Sequence, residues 1–272
     1  LIKKFFDNDG FPLSRNPNDL LFFSKYLIFC KEIIKDSQKY IPEFLEDIIE
    51  KNLNCIHYIR TPNGQLPLFN GAFSIGLNQV EKYLENFKTN NKNKRFGGLY
   101  KIKHKNHFLI IDTDKPPKKK FSKSYQSGPL SFEYFLDEVK IISNSGFGAL
   151  ISRKTELLSR LTACQSTLNI NDTSVTKFEK NEMINSIFGN SIQDSFKSYD
   201  FSTINDNDII GCSATNNGYE KKFGCTHKRE VYLDKKNSFL KGSDHIFKAK
   251  DGHPIRYAFR FHINPELSVV KL

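Results

Sequence analysis

The period of the apolar residues changes once along this 272-residue chain, and that change limits the folds open to it. From Leu20 to about Phe87 the apolar residues recur at helical spacing. Leu20, Phe23, Leu27, Cys30 and Ile34 form one stripe. Phe44, Leu45, Ile48, Ile49 and Leu53 form a second, and Leu77, Val80, Tyr83, Leu84 and Phe87 a third. Such stripes predict amphipathic helices packed antiparallel. Pro42 falls in the first turn of the second, where a missing N–H costs nothing. Thr61-Pro62-Asn63-Gly64 is turn chemistry. The polar segment 88–95 closes this half.

Beyond it the runs are short and alternate. Leu99 and Ile102, then 108–111, predict a hairpin. Leu130, Phe132, Tyr134 and Leu136 alternate, with Phe135 out of phase. Val139, Ile141 and Ile142 follow a turn at Asp137-Glu138. Further strands are predicted over 166–170, 227–233 and 257–263. Helices come first and strands second, which is a segregated α+β arrangement and not βαβ winding. The boundary predicts one helical domain over 1–94 and an antiparallel β-sandwich over 95–272.

Composition narrows the function classes. Apolar residues are 38% of the chain and include 25 Phe, ample for a core and too many for a disordered segment. The longest apolar stretch, 20–30, is broken by Ser24 and Lys25, so no membrane-spanning helix is expected. The net charge of +11 fits an anionic partner, or equally the Lys- and Asn-rich coding of an AT-rich genome. No basic and aromatic residues interleave on one face, so nucleic acid is not expected as a partner. Cysteines 30, 55, 164, 212 and 225 form no CxxC pair, which argues against a zinc ribbon or an iron–sulfur site. Buried free thiols are expected, with one or two disulfides left open. His104 and His107 are close on a hairpin but no third ligand follows them, so no metal and no cofactor is expected. The basic loop 115–120 is either solvated or ligand-facing. No P-loop, dinucleotide fingerprint or nucleophile elbow occurs. The chain opens on Leu inside a pattern already under way, and no signal peptide opens it. It is expected to be a piece of a longer protein. Nothing in it sets an oligomeric state.

Several short motifs then occur in order. Asp9-Gly10-Phe11-Pro12-Leu13-Ser14-Arg15-Asn16-Pro17 leads into Leu20-Leu21. Leu68-Phe69-Asn70-Gly71, Ser131-Phe132-Glu133 and Asn144-Ser145-Gly146 follow. Next come the run from Arg160 through Thr162-Ala163-Cys164-Gln165-Ser166-Thr167-Leu168, and then Asn171-Asp172-Thr173-Ser174. Asn217-Gly218-Tyr219, His227-Lys228-Arg229 and Arg260-Phe261-His262 complete the series. Together they resemble the heparinase II/III-like polysaccharide lyases, including alphaproteobacterial-type members. The resemblance implies the C-terminal helices of an α/α toroid followed by an antiparallel β-sandwich, each truncated at its outer end. It also implies a periplasmic protein acting on acidic, uronate-containing glycans such as glycosaminoglycan or alginate.

Members of that family with known activity cleave by β-elimination. The uronate carboxylate must be neutralised, a base must take the C5 proton, and an acid must protonate the departing O4. The resemblance puts Tyr219 on the sandwich side as a catalytic candidate. It puts Gln165 where the family has a catalytic His, Asp19 where it has a helical-domain Tyr, and Thr167 where zinc-binding members have a His ligand. Arg15, Asn16, Asn70, His227 and Arg229 are its candidates for substrate contact. Each also has a plain structural reading: Asn16 before Pro17 is a good N-cap, Asn70 a turn residue, and Arg229 a cross-strand ionic partner. Asp19 and Gln165 leave two classes open, an acidic-glycan lyase and a non-catalytic glycan-binding or cell-envelope protein on the same scaffold.

Overall fold

The computed structural model describes residues 2–78, 80–85, 94–181, 183–185, 189–248 and 256–270. Two long helices come first: α1 over Pro17–Asp36 and α2 over Glu43–Ile59. Asn16 caps α1: its side-chain oxygen accepts the N–H of Asn18 at 2.8 Å, and Pro17 follows at the first helical position. The third stripe forms only one turn, α3 over Glu81–Leu84. Phe87, its last residue, lies outside the described residues. The expected helical face still packs, because Leu77, Val80 and Leu84 join the core under α1 and α2.

Twelve strands follow among the described residues. β1 (Arg95–Phe96), β2 (Leu99–His104), β3 (His107–Asp112), β4 (Phe132–Leu136), β5 (Val139–Ser143) and β12 (His262–Ile263) make a six-stranded antiparallel sheet in that order. β7 (Ser198–Asn205), β8 (Ile209–Tyr219), β9 (Cys225–Asp234) and β10 (Phe239–Lys248) make a second sheet. β6 (Leu168–Ile170) pairs with β11 (Tyr257–Phe259). Short helices interrupt the strands, among them α4 over Arg153–Ser159 and α5 over Glu220–Phe223.

The six-stranded sheet is covered on both sides. Leu99, Phe108, Ile110 and Phe135 pack against the helices. Tyr100, Ile102, Leu109, Ile111 and Phe132 pack against Cys212, Val231 and Leu233 of the second sheet. All six residues of β3 are buried, the pattern of a strand with two covered faces. This resolves the phase of Phe135. It is apolar because it faces the helices, while Phe132 faces the other sheet. The predicted hairpin is β2–β3, in register from Leu99↔Asp112 to His104↔His107. The predicted strand 257–263 is two strands on different sheets, β11 and β12. β7, β8 and β10 were not anticipated from the sequence.

The cysteines are free thiols, three of them buried, so the disulfides left open are absent among the described residues. No helix is long and apolar enough to cross a membrane among those residues.

Candidate functional site

A groove of about 1730 Å³ opens beside the N-terminus of α1. One wall is the first turns of α1, with Asn16, Asp19, Phe22 and Lys25. The floor includes Gly71 and Phe73 from one loop and Phe121, Lys123 and Ser124 from another. The far wall is α4, with Arg153 and Glu156, and the ribbon 176–193, with Lys177 and Phe178.

Each wall is fixed by bonds the sequence supplies. Gly71 takes a backbone φ of 103°, and a Cβ there would meet Ser124 Cβ at 2.4 Å, so only glycine lets these two loops touch. The ribbon is held by Glu179 N–H to Ser191 O at 2.9 Å, Gln193 N–H to Lys177 O at 2.8 Å and a bridge between Phe178 and Ile192. Behind Phe178 lies Arg160, fully buried, its guanidinium 4.1 Å from the ring centroid. Arg160 donates to Tyr125 O and Ser122 O, and burial pulls its pKa down to about 10.

The groove's charge is unbalanced toward positive. Lys25, Lys123, Lys177 and Lys180 line it and make no ion pair among the described residues. Arg153 is engaged by Glu156 at 2.6 Å. Glu179 lies below the usual carboxylate range, because the Asn181 N–H and the Gln193 side chain bond it. Asp19 is different. Burial raises its carboxyl, and only the Ser14 hydroxyl, donating at 2.6 Å, works the other way.

Of the seven candidate residues, Asn16 alone lines this groove. Arg15 turns inward, where it pairs with buried Asp112 and donates to Gly97 O and Lys115 O. Asn70 donates to the other oxygen of Asp112 at 3.3 Å. Gln165 is buried outside the groove lining and donates to Ser159 O at 2.8 Å. Tyr219 belongs to a small core with Leu168, Ile170 and Val175, and its phenol donates to Thr173 O at 2.7 Å. His227 and Arg229 share a face of β9, as the spacing predicts, between the two sheets. Asp244 on β10, directly across from Arg229, accepts from both. Arg229 also donates to Leu130 O and Ser166 O, tying the sheets together.

The residues at the family's zinc positions do not fit a zinc ion. Thr167 is buried and its hydroxyl donates to Pro129 O at 2.6 Å. His227 Nε2 lies 2.7 Å from Asp244 Oδ1, and that carboxylate is already bound by Arg229. His107 bonds Tyr134 rather than pairing with His104. No three His, Cys, Asp or Glu side chains are grouped to hold a metal among the described residues.

Sequence reasoning missed Lys25, Lys123, Lys177 and the rings of Phe121 and Phe178. The signal was weak but present. Lys120-Phe121-Ser122-Lys123 and Lys177-Phe178 alternate cation and ring, and the first continues the basic loop 115–120.

The family described as heparinase II/III-like, C-terminal, matches residues 89–272. The chain belongs to the heparinase II/III-like family. Solved structures share its fold at low identity. A heparinase III gene product superposes with a TM-score of 0.68 at 16% identity, covering 92% of this chain and 40% of its own. A mutant of the heparan sulfate lyase HepC from Pedobacter heparinus gives 0.64 at 15%, covering 86% and 38%. A further heparinase III gives 0.55 at 13%, covering 86% and 41%. The heparinase II/III-like chain thus spans about two fifths of each of these proteins. No curated protein matches it in sequence. The helices followed by antiparallel sheets are the order the motif series implied.

Proposed function

We propose that the groove beside α1 binds an acidic, uronate-containing polysaccharide, and that the protein cleaves it by β-elimination. The observation that carries this reading is the lining of the groove. Four lysines without ion-pair partners among the described residues sit among the rings of Phe73, Phe121 and Phe178. Cations meet the carboxylates or sulfates of a glycan, and aromatic faces meet the apolar faces of its sugar rings. A heparinase II/III-like scaffold supports the same reading. On it, the helical part, 1–94, is the end of an α/α toroid, 95–272 is the sandwich, and the protein works in the periplasm.

A second reading has its own observation. No Tyr or His lines the groove among the described residues. Tyr219 and Gln165 are committed to backbone acceptors. A groove that binds without cleaving has this appearance. The two readings separate in one assay. The complete encoded protein is incubated with a panel of acidic polysaccharides while ultraviolet absorbance of the unsaturated uronate is followed. A rise on one of them supports the lyase. Binding with no rise supports the binding protein.

A further inference from the structure

The lyase reading needs a group that moves a proton, and the groove of this chain offers a candidate. Its lining holds neither imidazole nor phenol among the described residues. Among the described residues it holds three carboxylates. Glu156 is bound to Arg153 at 2.6 Å. Glu179 accepts the N–H groups of Lys180 and Asn181 at 2.9 and 3.0 Å and the Gln193 amide at 3.3 Å. Both are engaged. Among the described residues Asp19 is bonded only by Ser14 Oγ, at 2.6 Å to Oδ2, and its Oδ1 has no hydrogen-bond partner. It stands in the wall of the groove on the first turn of α1, with Lys25 on the same helix and the Phe73 loop nearby. No cation among the described residues is paired with it.

We infer that Asp19 is the catalytic residue that carries the proton in this groove, an inference that rests on the lyase reading. The Asp19 carboxylate takes the proton from C5 of the uronate. The C5–H electron pair becomes the C4=C5 double bond, and the C4–O4 bond breaks. The carboxylic acid so formed returns the proton to O4, so no other donor or acceptor is consumed. Burial keeps this carboxyl above the usual carboxylate range, which makes its anion a better base than an exposed one. A carboxylate tuned upward by its surroundings is a recurring way for one group to serve as both base and acid.

The test uses the complete encoded protein on whichever acidic polysaccharide it turns over. Asp19→Asn keeps the size of the side chain and an acceptor for Ser14. It is expected to lower kcat by about a hundredfold or more with KM little changed. Ser14→Ala is expected to move the acidic limb of the pH–rate profile to higher pH, because the hydrogen bond that holds the carboxyl down is gone. A structural role for Asp19 would lower thermal stability and leave that limb in place. D19N turnover within threefold of the parent would overturn the inference and leave the lyase reading standing. No turnover by the parent on any acidic polysaccharide would remove the lyase reading, and the inference with it.

Discussion

Asp112 shows how a residue that looks made for a substrate ends up serving the fold. Its carboxylate is buried on β3 and receives Arg15 from one side and Asn70 from the other. Two motif residues read from the sequence as substrate contacts therefore serve a buried charge, Arg15 by neutralising it and Asn70 by donating a hydrogen bond to it. The same holds elsewhere in the motif series. Glu133 is fully buried and accepts the N–H groups of Leu68 and Asn144. Arg160 binds the carbonyls of Ser122 and Tyr125. Motif spacing was legible, but the direction of each side chain was not. A polar residue in a short motif reads the same whether it faces a ligand or a buried partner. Removing Arg15 leaves Asp112 as an uncompensated buried charge. Arg15→Ala is expected to destabilise the protein by about 3–5 kcal/mol, measured as the shift in the urea midpoint. A change below about 1 kcal/mol would mean the pair is dispensable. Tyr219→Phe removes the phenol's hydrogen bond to Thr173 O. It is expected to cost about 1 kcal/mol and leave glycan affinity as it was, in the same urea and binding measurements.

At the scale of elements, the sequence was informative where apolar residues alternate or recur, and silent where they do not. α1, α2 and the β2–β3 hairpin follow from their stripes. β7 and β10 do not, because their residues are largely polar and mostly exposed or half-exposed. Their strand character comes from pairing with β8 and β9, which a single chain segment does not announce. β9 is the opposite case, with strictly alternating burial. Its inward set includes His227 and Arg229, which is tolerable only because Asp244 lies across on β10. His227 donates from Nε2 to Asp244 and faces the Asn216 amide with Nδ1. Burial lowers the imidazole's pKa below its ordinary 6.5, so folding disfavours its protonated form. Burial acts to raise Asp244, but bonds from His227 and Arg229 hold it at about 2. The sign is the same for both groups. The unfolded chain binds more protons than the folded one, so stability falls as pH falls. The loss begins below pH 6.5 as unfolded His227 takes up its proton. It deepens from the ordinary carboxylate value of 3.8 toward about 2 as Asp244 does. Urea midpoints measured from pH 7.5 downward are expected to drop in these two stages. Asp244→Asn is expected to weaken the second stage. A midpoint independent of pH would contradict this account of the β9–β10 pair.

For the whole molecule, the order of helices before strands was readable from the change in period, while the second sheet was not, because only β9 of its four strands announces itself. Nor was the groove. It is assembled from α1, two loops, α4 and the ribbon 176–193, segments that meet only after the chain folds. No spacing rule connects Lys25 to Lys123 and Lys177. The positive lining predicts a strong dependence of glycan affinity on salt, because exposed charges are screened within about 10 Å at 0.1 M ionic strength. The most direct test of the groove as the glycan site is affinity for an acidic polysaccharide, measured by calorimetry on the complete protein and on the triple variant Lys25→Glu, Lys123→Glu, Lys177→Glu. The groove account predicts a loss of about a hundredfold or more, with the thermal midpoint nearly unchanged because none of the three lysines holds an ion pair among the described residues. Equal affinity in the two proteins would place the glycan elsewhere and contradict it.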